Sequence, residues 1–415
     1  MIRSLPSGRV TRLSPNGYRT VAGSSLLSTL RGRISRHLVQ QLIAAARLVA
    51  GPGADLAGTS YAPLRSQGCL IDGTESSTIL RDSTLIEPQK SMVKLVTEVA
   101  AVGDEGSDLD KLERRLGRVH ARQRLGIETD HEAQIFGQGI NFFHIENWYS
   151  IHSVIRTTLK LLGLYGRGLR NAEQIEVRRN HVGNKRLPKQ FDGFTILHIS
   201  DLHADMSQGA MRRLNELLPG VAYDLCVLTG DYRGASFGAY DAALEAMART
   251  RAHLTGTVYG VLGNHDSIRM VPALEEMGIR ILLNECETIS RGNEAIYLAG
   301  IDDAHYFRVD NIEKTASEIP DDAFSILLSH TPEVYRQAAH AGFNLFLSGH
   351  THGGQICLPG SIPITLSSVL PRHMGSGRWT YDDMIGYTSV GVGCAIVPVR
   401  INCLPEITLH HLQRI

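Results

Sequence analysis

From Phe191 onward, short apolar runs alternate with longer stretches that keep helical spacing. The runs lie at 194–199, 225–228, 258–262, 296–299, 325–328 and 345–347. Each is rich in β-forming residues and bounded by turn formers, as strands buried on both faces are. Between them, 210–218, 239–249 and 332–341 read as helices, with Pro332 suited to a first helical position. Strand and helix in alternation predict an α/β layered domain over residues 191–415.

The pattern is different before residue 191. Leu109, Leu112, Leu116 and Val119 recur at three- and four-residue steps, which predicts one apolar helix face, and Ser107 stands before Asp110 in capping-box spacing. A second helix is expected after Asn147, with Trp148, Ile151, Ile155, Leu159 and Leu162 on its buried side. Ile175, Val177 and Val182 suit a strand or extended arm. Residues 108–190 therefore form a helical extension expected to pack on the next domain. Residues 1–107 are weakly patterned and rich in Ser and Gly, with one helix expected at 91–102. That makes three parts of a 415-residue chain, consistent with roughly 100–200 residues per domain.

Charge and cysteine content narrow the class. Lys plus Arg equals Asp plus Glu at 42 each, so no general attraction to nucleic acid is expected. Arg3, Arg9, Arg12, Arg19, Arg31, Arg33, Arg36 and Arg47 all precede Asp55, the first acidic residue. A transit peptide, a disordered basic tail and a misplaced start codon all fit that bias. Cys69, Cys226, Cys286, Cys357, Cys394 and Cys403 are isolated, as in reduced intracellular proteins. No apolar run approaches the 18 residues or so of a spanning helix. A cytoplasmic location follows as the expectation, with peripheral contact at the inner membrane if the substrate is a lipid.

The chemistry gathers where the predicted strands end. Asp201-Leu202-His203 follows the first, Gly230-Asp231 the second, and Gly263-Asn264-His265-Asp266 the third. His330 follows the fifth, and Gly349-His350-Thr351-His352-Gly353-Gly354 the sixth. Ligands of α/β sheets bind beyond the carboxyl ends of the strands. Carboxylate, imidazole and amide oxygen together suit divalent Mn, Fe or Zn, and the lack of cysteine argues against a structural zinc site. His198, His253, His305 and His340 lie outside these blocks and read as packed or solvated residues. Asp302 and Asp303 suit a site contact or a loop cap equally.

This ordered set of five blocks resembles the calcineurin-like metallophosphoesterases, over about residues 191–412. The resemblance implies a central β-sandwich flanked by helices and two divalent metal ions. It implies that Asp201, His203 and His352 hold one ion, that Asn264, His330 and His350 hold the other, and that Asp231 bridges them. His265 becomes the acid or electrostatic partner of the phosphate, with Asp266 fixing its ring from behind. The purple acid phosphatases of the same superfamily use a Tyr three residues after the bridging Asp. That position is Gly234 here, and Tyr232 is expected to point elsewhere.

The wording of the motifs resembles a bacterial phosphodiesterase subgroup related to UDP-2,3-diacylglucosamine hydrolases, as does the tail around Gly391, Pro398, Arg400 and Pro405. The resemblance implies hydrolysis of a phosphodiester or pyrophosphate bond in a small phosphate ester or a lipid-linked nucleotide. Leu358, Ile362, Ile364, Leu366, Val369 and Leu370 form an apolar loop after the last block, suited either to an acyl chain or to packing on the sheet. Phosphodiesterase action on another nucleotide or a cyclic nucleotide shares the same blocks. A DNA nuclease would need a basic groove that the charge balance does not suggest, and a scaffold would be expected to have lost ligands that are present here.

Overall fold

The computed structural model describes residues 109–137 and 149–415. The expected helix at 91–102, Ser107, Asn147, Trp148 and the side chain of Ile151 lie outside the described residues.

The chain is helical at 109–116 and again in α1 (Arg118–Gly137). Leu112 and Leu116 are buried as expected, but Val119 is 77% exposed. The reason is Gly117, whose φ of +84° breaks the helix and resets its phase. The buried face of α1 is instead Ala121, Arg124 and the flanking Leu125. Next come α2 (Tyr149–Leu161) and α3 (Tyr165–Ala172). Leu159 of α2 is buried against Val397 and Val399, with Ile155 packed beside them.

Fourteen strands follow. The first five are β1 (Glu176–Asn184), β2 (Thr195–Ile199), β3 (Leu225–Leu228), β4 (Val258–Gly260) and β5 (Ile279–Ile281). Three helices separate them: α4 (Gln208–Leu217), α5 (Asp241–Arg251) and α6 (Val271–Glu276). Ser207 caps α4 by accepting from the Ala210 amide. The second half supplies β6 (Glu285–Arg291), β7 (Glu294–Gly300), α7 (Ile312–Ala316), β8 (Ser325–Leu328), α8 (Tyr335–His340) and β9 (Leu345–Ser348). Pro332 opens a short 3₁₀ turn capped by Thr331, ahead of α8. A small hairpin, β10 (Cys357–Leu358) with β11 (Ile362–Pro363), then leads to β12 (Gly377–Tyr381), β13 (Met384–Thr388) and β14 (Glu406–Arg414).

Two six-stranded sheets result, ordered β1-β14-β2-β3-β4-β5 and β12-β13-β9-β8-β7-β6. Strands β2 to β5 run parallel, as do β7, β8, β9 and β13. Strand β1 adds an edge to the first sheet by pairing parallel with β14. Alternate residues on one strand enter different cores. Ile196, Val227, Ile326, Leu328, Leu345 and Leu347 share the core between the sheets. Leu197, Ile199, Cys226 and Leu228 face out onto helical residues such as Leu214 and Met247. Leu327 and Phe346 face the other way, onto Val334 and Ala338. The protein is thus a β-sandwich flanked by helices. None of its described helices is long and apolar enough to cross a membrane.

Candidate metal centre

Parallel strands bring their carboxyl ends to one edge, and the short loops there carry the polar blocks. The loops after β2 and β3 are tied together: the Asp201 amide donates to the Gly230 carbonyl, and the His203 amide to the Asp231 carbonyl, each at 3.0 Å. After β8 and β9, the Gly349 amide donates to the His330 carbonyl at 2.9 Å.

The turns are sharp enough to put five of these side chains in left-handed backbone. Their φ values are +49° for Asp201, +38° for His203, +55° for Asp231, +71° for His350 and +49° for His352. Glycine would adopt that geometry at no cost but has no ligand atom to offer, and strain of this kind concentrates at functional sites. Glycine is kept where space forbids anything else. A Cβ on Gly349 would lie 1.9 Å from Ser200 Oγ, and one on Gly263 would lie 2.1 Å from Asp231 Oδ1.

Two ligand-sized clusters form, Asp201 with His203 and His352, and Asp231 with His330 and His350. All six residues are buried. Within the first, His203 Nε2 lies 3.0 Å from His352 Nε2, which is 3.4 Å from Asp201 Oδ1. In the second, His330 Nε2 lies 3.2 Å from both Asp231 Oδ2 and His350 Nδ1. Asn264 joins the second cluster, its Oδ1 3.0 Å from His330 Nε2 and 2.8 Å from His350 Nδ1. Asp231 Oδ2 stands between the two, 3.7 Å from His203 Nε2.

Tautomers decide what this arrangement can hold. His203 Nδ1 faces the Arg233 carbonyl at 2.8 Å, His330 Nδ1 the Thr229 carbonyl at 2.7 Å, and His350 Nε2 the Ser367 carbonyl at 3.1 Å. A carbonyl only accepts, so each of those nitrogens carries its ring's proton. The opposite nitrogens therefore face inward, toward one another and the oxygens of Asp231 and Asn264, with Nε2 of His330 set against Asp231 Oδ2 at 3.2 Å. Such a concentration of nitrogens and oxygens fits divalent cations, and the backbone carbonyls behind the rings fix ligand orientation.

The titration of these groups reflects how closely they are crowded. Burial alone would raise Asp231, yet the charges of His330, His265 and His203 hold it well below the usual carboxylate range. Burial opposes charge on His330 too, but Asp231 and Asp201 push it up to about 10. Burial keeps His350 and His352 neutral, well below their usual range, helped by the neighbouring positive groups. A proton shared around Asp231 stands where cations would bind, and metal binding releases such protons.

His265 is placed beside the same carboxylate, with Nε2 4.0 Å from Asp231 Oδ2 and its amide donating to Asp231 Oδ1 at 3.0 Å. Its Nδ1 pairs with Ser236 Oγ at 3.0 Å. The expected support from Asp266 is therefore corrected. Asp266 accepts instead from the amides of Asp231, Tyr232 and Gly263, each at 2.8 Å. Both carboxylate oxygens are spent on backbone amides, so Asp266 shapes the loop that carries Asp231. Tyr232 points away, donating to the Val261 carbonyl at 3.0 Å.

Neither Asp302 nor Asp303 reaches the clusters. Asp303 caps its loop by accepting from the amides of His305, Tyr306 and Phe307. Asp302 pairs with His120 at 2.8 Å and with the buried Arg124 at 3.3 Å. Three neighbours of the site carry no motif in the sequence. The ring of His305 lies 4.3 Å from that of His350, with Nδ1 paired to Glu333 at 2.9 Å. Arg400 is buried behind His352, 3.3 Å from its Nδ1, and donates to the Val390 carbonyl at 2.7 Å. Ser236 stands behind His265. Arg400 lies in the tail that resembles the subgroup, but nearness in the fold is what assigns all three to the site.

Residues 194–354 match a family model described as calcineurin-like phosphoesterase. Among similar proteins is the uncharacterized metallophosphoesterase YkoQ of Bacillus subtilis (strain 168), 28% identical over 253 residues, spanning 59% of this chain and 92% of the relative. The uncharacterized metallophosphoesterase YkuE of the same strain is 29% identical over 253 residues, spanning 58% of this chain and 86% of its own. Phosphodiesterase YaeI of Escherichia coli (strain K12) is 25% identical over 232 residues, spanning 53% and 82%.

Proposed function

We propose that this chain, which carries a calcineurin-like phosphoesterase domain over residues 194–354, is a metal-dependent phosphoester hydrolase acting on a phosphodiester or pyrophosphate bond. The observation that carries the reading is the meeting of inward-facing imidazole nitrogens from His203, His330 and His350 around the buried Asp231. Asp201, His203 and His352 hold one ion in this reading, Asn264, His330 and His350 hold the other, and Asp231 bridges them. When bound there, divalent ions would supply charge stabilisation at a phosphoryl oxygen and a nucleophile near neutral pH.

The chain's own residues supply the rest. His265 presents Nε2 on the side of Asp231 while Ser236 anchors Nδ1. A His so placed can protonate or stabilise the leaving oxygen. Asp266 keeps the amides of Asp231, Tyr232 and Gly263 in register, so the bridging carboxylate does not drift. Mn, Fe and Zn all accept this donor set, and manganese is the ion to try first.

A lipid-linked nucleotide such as UDP-2,3-diacylglucosamine is the finer reading, with peripheral contact at a membrane surface. Its support is the loop bordering His350: Val369 is 91% exposed and Ile362 53% exposed, two residues and more from Ser367, which accepts from His350. Leu370 does not share that exposure; it packs on the core beneath the second sheet.

One panel tests both levels. Chelator-treated protein is reloaded with Mn²⁺ and offered bis-p-nitrophenyl phosphate, p-nitrophenyl phosphate and UDP-2,3-diacylglucosamine. Restored cleavage of the diester supports the reaction class, and cleavage of the lipid nucleotide supports the substrate. Turnover confined to the monoester would overturn the diester reading.

A further inference from the structure

A line of buried polar groups runs through the core from the edge strand β1 to Asp201. Ser200 Oγ donates to Asp201 Oδ2 at 2.5 Å. Thr229 Oγ1 donates to Ser200 Oγ at 2.7 Å. Thr229 Oγ1 is in turn 2.8 Å from His198 Nε2, and His198 Nδ1 is 3.3 Å from His410 Nε2. His410 Nδ1 is 2.9 Å from Asn180 Nδ2. All six residues are buried, and the line crosses β1, β14, β2 and β3.

Donor and acceptor capacities leave one direction for every link. With its carboxylate ionised, as a metal ligand's must be, Asp201 only accepts, so Ser200 gives its single proton to Asp201. Ser200 then accepts from Thr229, whose only proton is used there. His198 must therefore donate from Nε2, which makes its Nδ1 a lone pair. His410 must donate to that lone pair from Nε2, so its own Nδ1 accepts from the Asn180 amide. A neutral imidazole has one donor and one acceptor, as each of these two positions needs. Burial keeps both rings neutral, with His198 lowered to about 3 and His410 well below its usual range.

We propose that Asn180, His410, His198 and Thr229 are positioning residues for Asp201, forming a one-way hydrogen-bond relay that fixes the orientation of this carboxylate from the far edge of the sheet. The inference rests on reading Asp201 as a metal ligand. Hydrogen bonds to ligating carboxylates orient them, and each link in a low-dielectric core polarises the next. The rings are not interchangeable with packing residues, because an apolar residue at 198 leaves the Thr229 oxygen without its donor and His410 Nε2–H without its acceptor.

The direction of the relay can be read without substrate, on the chain supplied with Zn²⁺. Long-range ¹H–¹⁵N NMR on the ¹⁵N-labelled full chain reports which imidazole nitrogen carries the proton. The relay requires the Nε2–H form for both His198 and His410, and an Nδ1–H form at either would overturn it. Asn180→Asp presents His410 with an acceptor in place of a donor, so its proton must move to Nδ1; an unchanged His410 signal would also overturn it. The second readout is Zn²⁺ affinity by calorimetry. Thr229→Val keeps the shape and removes the hydroxyl, and it should weaken one of two Zn²⁺ sites by about 10–100-fold, the range for outer-shell changes. Thr229→Ser should restore it, and equal affinity in the Val variant contradicts a positioning role. A chain that shows the required tautomers but binds no Zn²⁺ upholds the relay while sinking the metal reading, so the two fail separately.

Discussion

Arg124 on α1 donates from Nη2 to the backbone carbonyl of Asp266 at 3.0 Å, joining the N-terminal extension to the loop that carries Asn264 and His265. The same guanidinium pairs with Asp302 and lies flat on Phe307, 3.3 Å from the ring centre. One turn on, Glu128 accepts from Ser267 Oγ at 2.7 Å and from the Ile268 amide at 2.8 Å. Helical spacing thus places two opposite charges on one face, and both grip the segment just after His265.

Replacing Arg124 should therefore affect both stability and chemistry. Arg124→Met fills the volume but leaves the buried Asp302 with the His120 ring and the Asp303 amide in place of a guanidinium. Breaking a buried pair in this way costs about 3–5 kcal/mol. Denaturant midpoints should fall accordingly, and Mn²⁺-supported diester turnover should fall beyond any loss of folded protein. Wild-type turnover per folded molecule would show that α1 is not coupled to the site.

Asp231→Asn removes the charge shared by both clusters. Metal analysis by mass spectrometry should find both sites depleted, whereas Asn264→Ala should deplete one. Equal loss in the two variants would argue against Asp231 as the bridge.

His265→Asn should retain the metals and lose turnover by about 10²–10⁴-fold, the usual contribution of a proton donor. Ser236→Ala should give a smaller loss of the same kind, because it frees the ring without removing it. Metal loss in the His265 variant would mean that the residue is a ligand.

Acid should destabilise the folded chain through its buried imidazoles. His198 is lowered by burial to about 3, and His410 is lowered by burial and then by the charges of His198 and His411. An unfolded histidine titrates near 6.5. Between about 3 and 6.5 the unfolded chain binds protons that the folded one excludes, so stability rises with pH there, by up to about 1.4 kcal/mol per pH unit for each proton. Melting temperatures should drop as pH falls from 7 to 5, and less steeply in His410→Leu. Parallel slopes would show that this ring does not titrate as stated.

The sequence made the catalytic edge legible because its strands are short, apolar on both faces and followed at once by Asp, Asn or His. Strands β2, β3, β4, β7, β8 and β9 fall where their apolar runs lie. The other strands were harder to see. Strand β6 is half-exposed on an edge, and β14 reads Glu-Ile-Thr-Leu-His-His, where buried polar residues disguise the run. Long-range partners were invisible for a simpler reason. His198 and His410 are 212 residues apart, and Arg124 and Asp302 are 178 apart. Arg124 and Glu128 also resemble a solvated helix face until the loop they hold is in place. The family resemblance set Asp266 behind the His265 ring, whereas the turn directs its oxygens to four backbone amides, a detail that only the folded loop reveals.

The central claim is that Asp201, His203, Asp231, Asn264, His330, His350 and His352 together hold two divalent ions that act on a phosphodiester. The most direct test is a titration of the chelator-stripped chain with Mn²⁺, reading bound metal and bis-p-nitrophenyl phosphate hydrolysis in the same samples. The account predicts saturation at two ions per chain, with hydrolysis rising as the second is bound. Full hydrolysis with one ion bound, or none with two bound at any pH from 6 to 9, would contradict it.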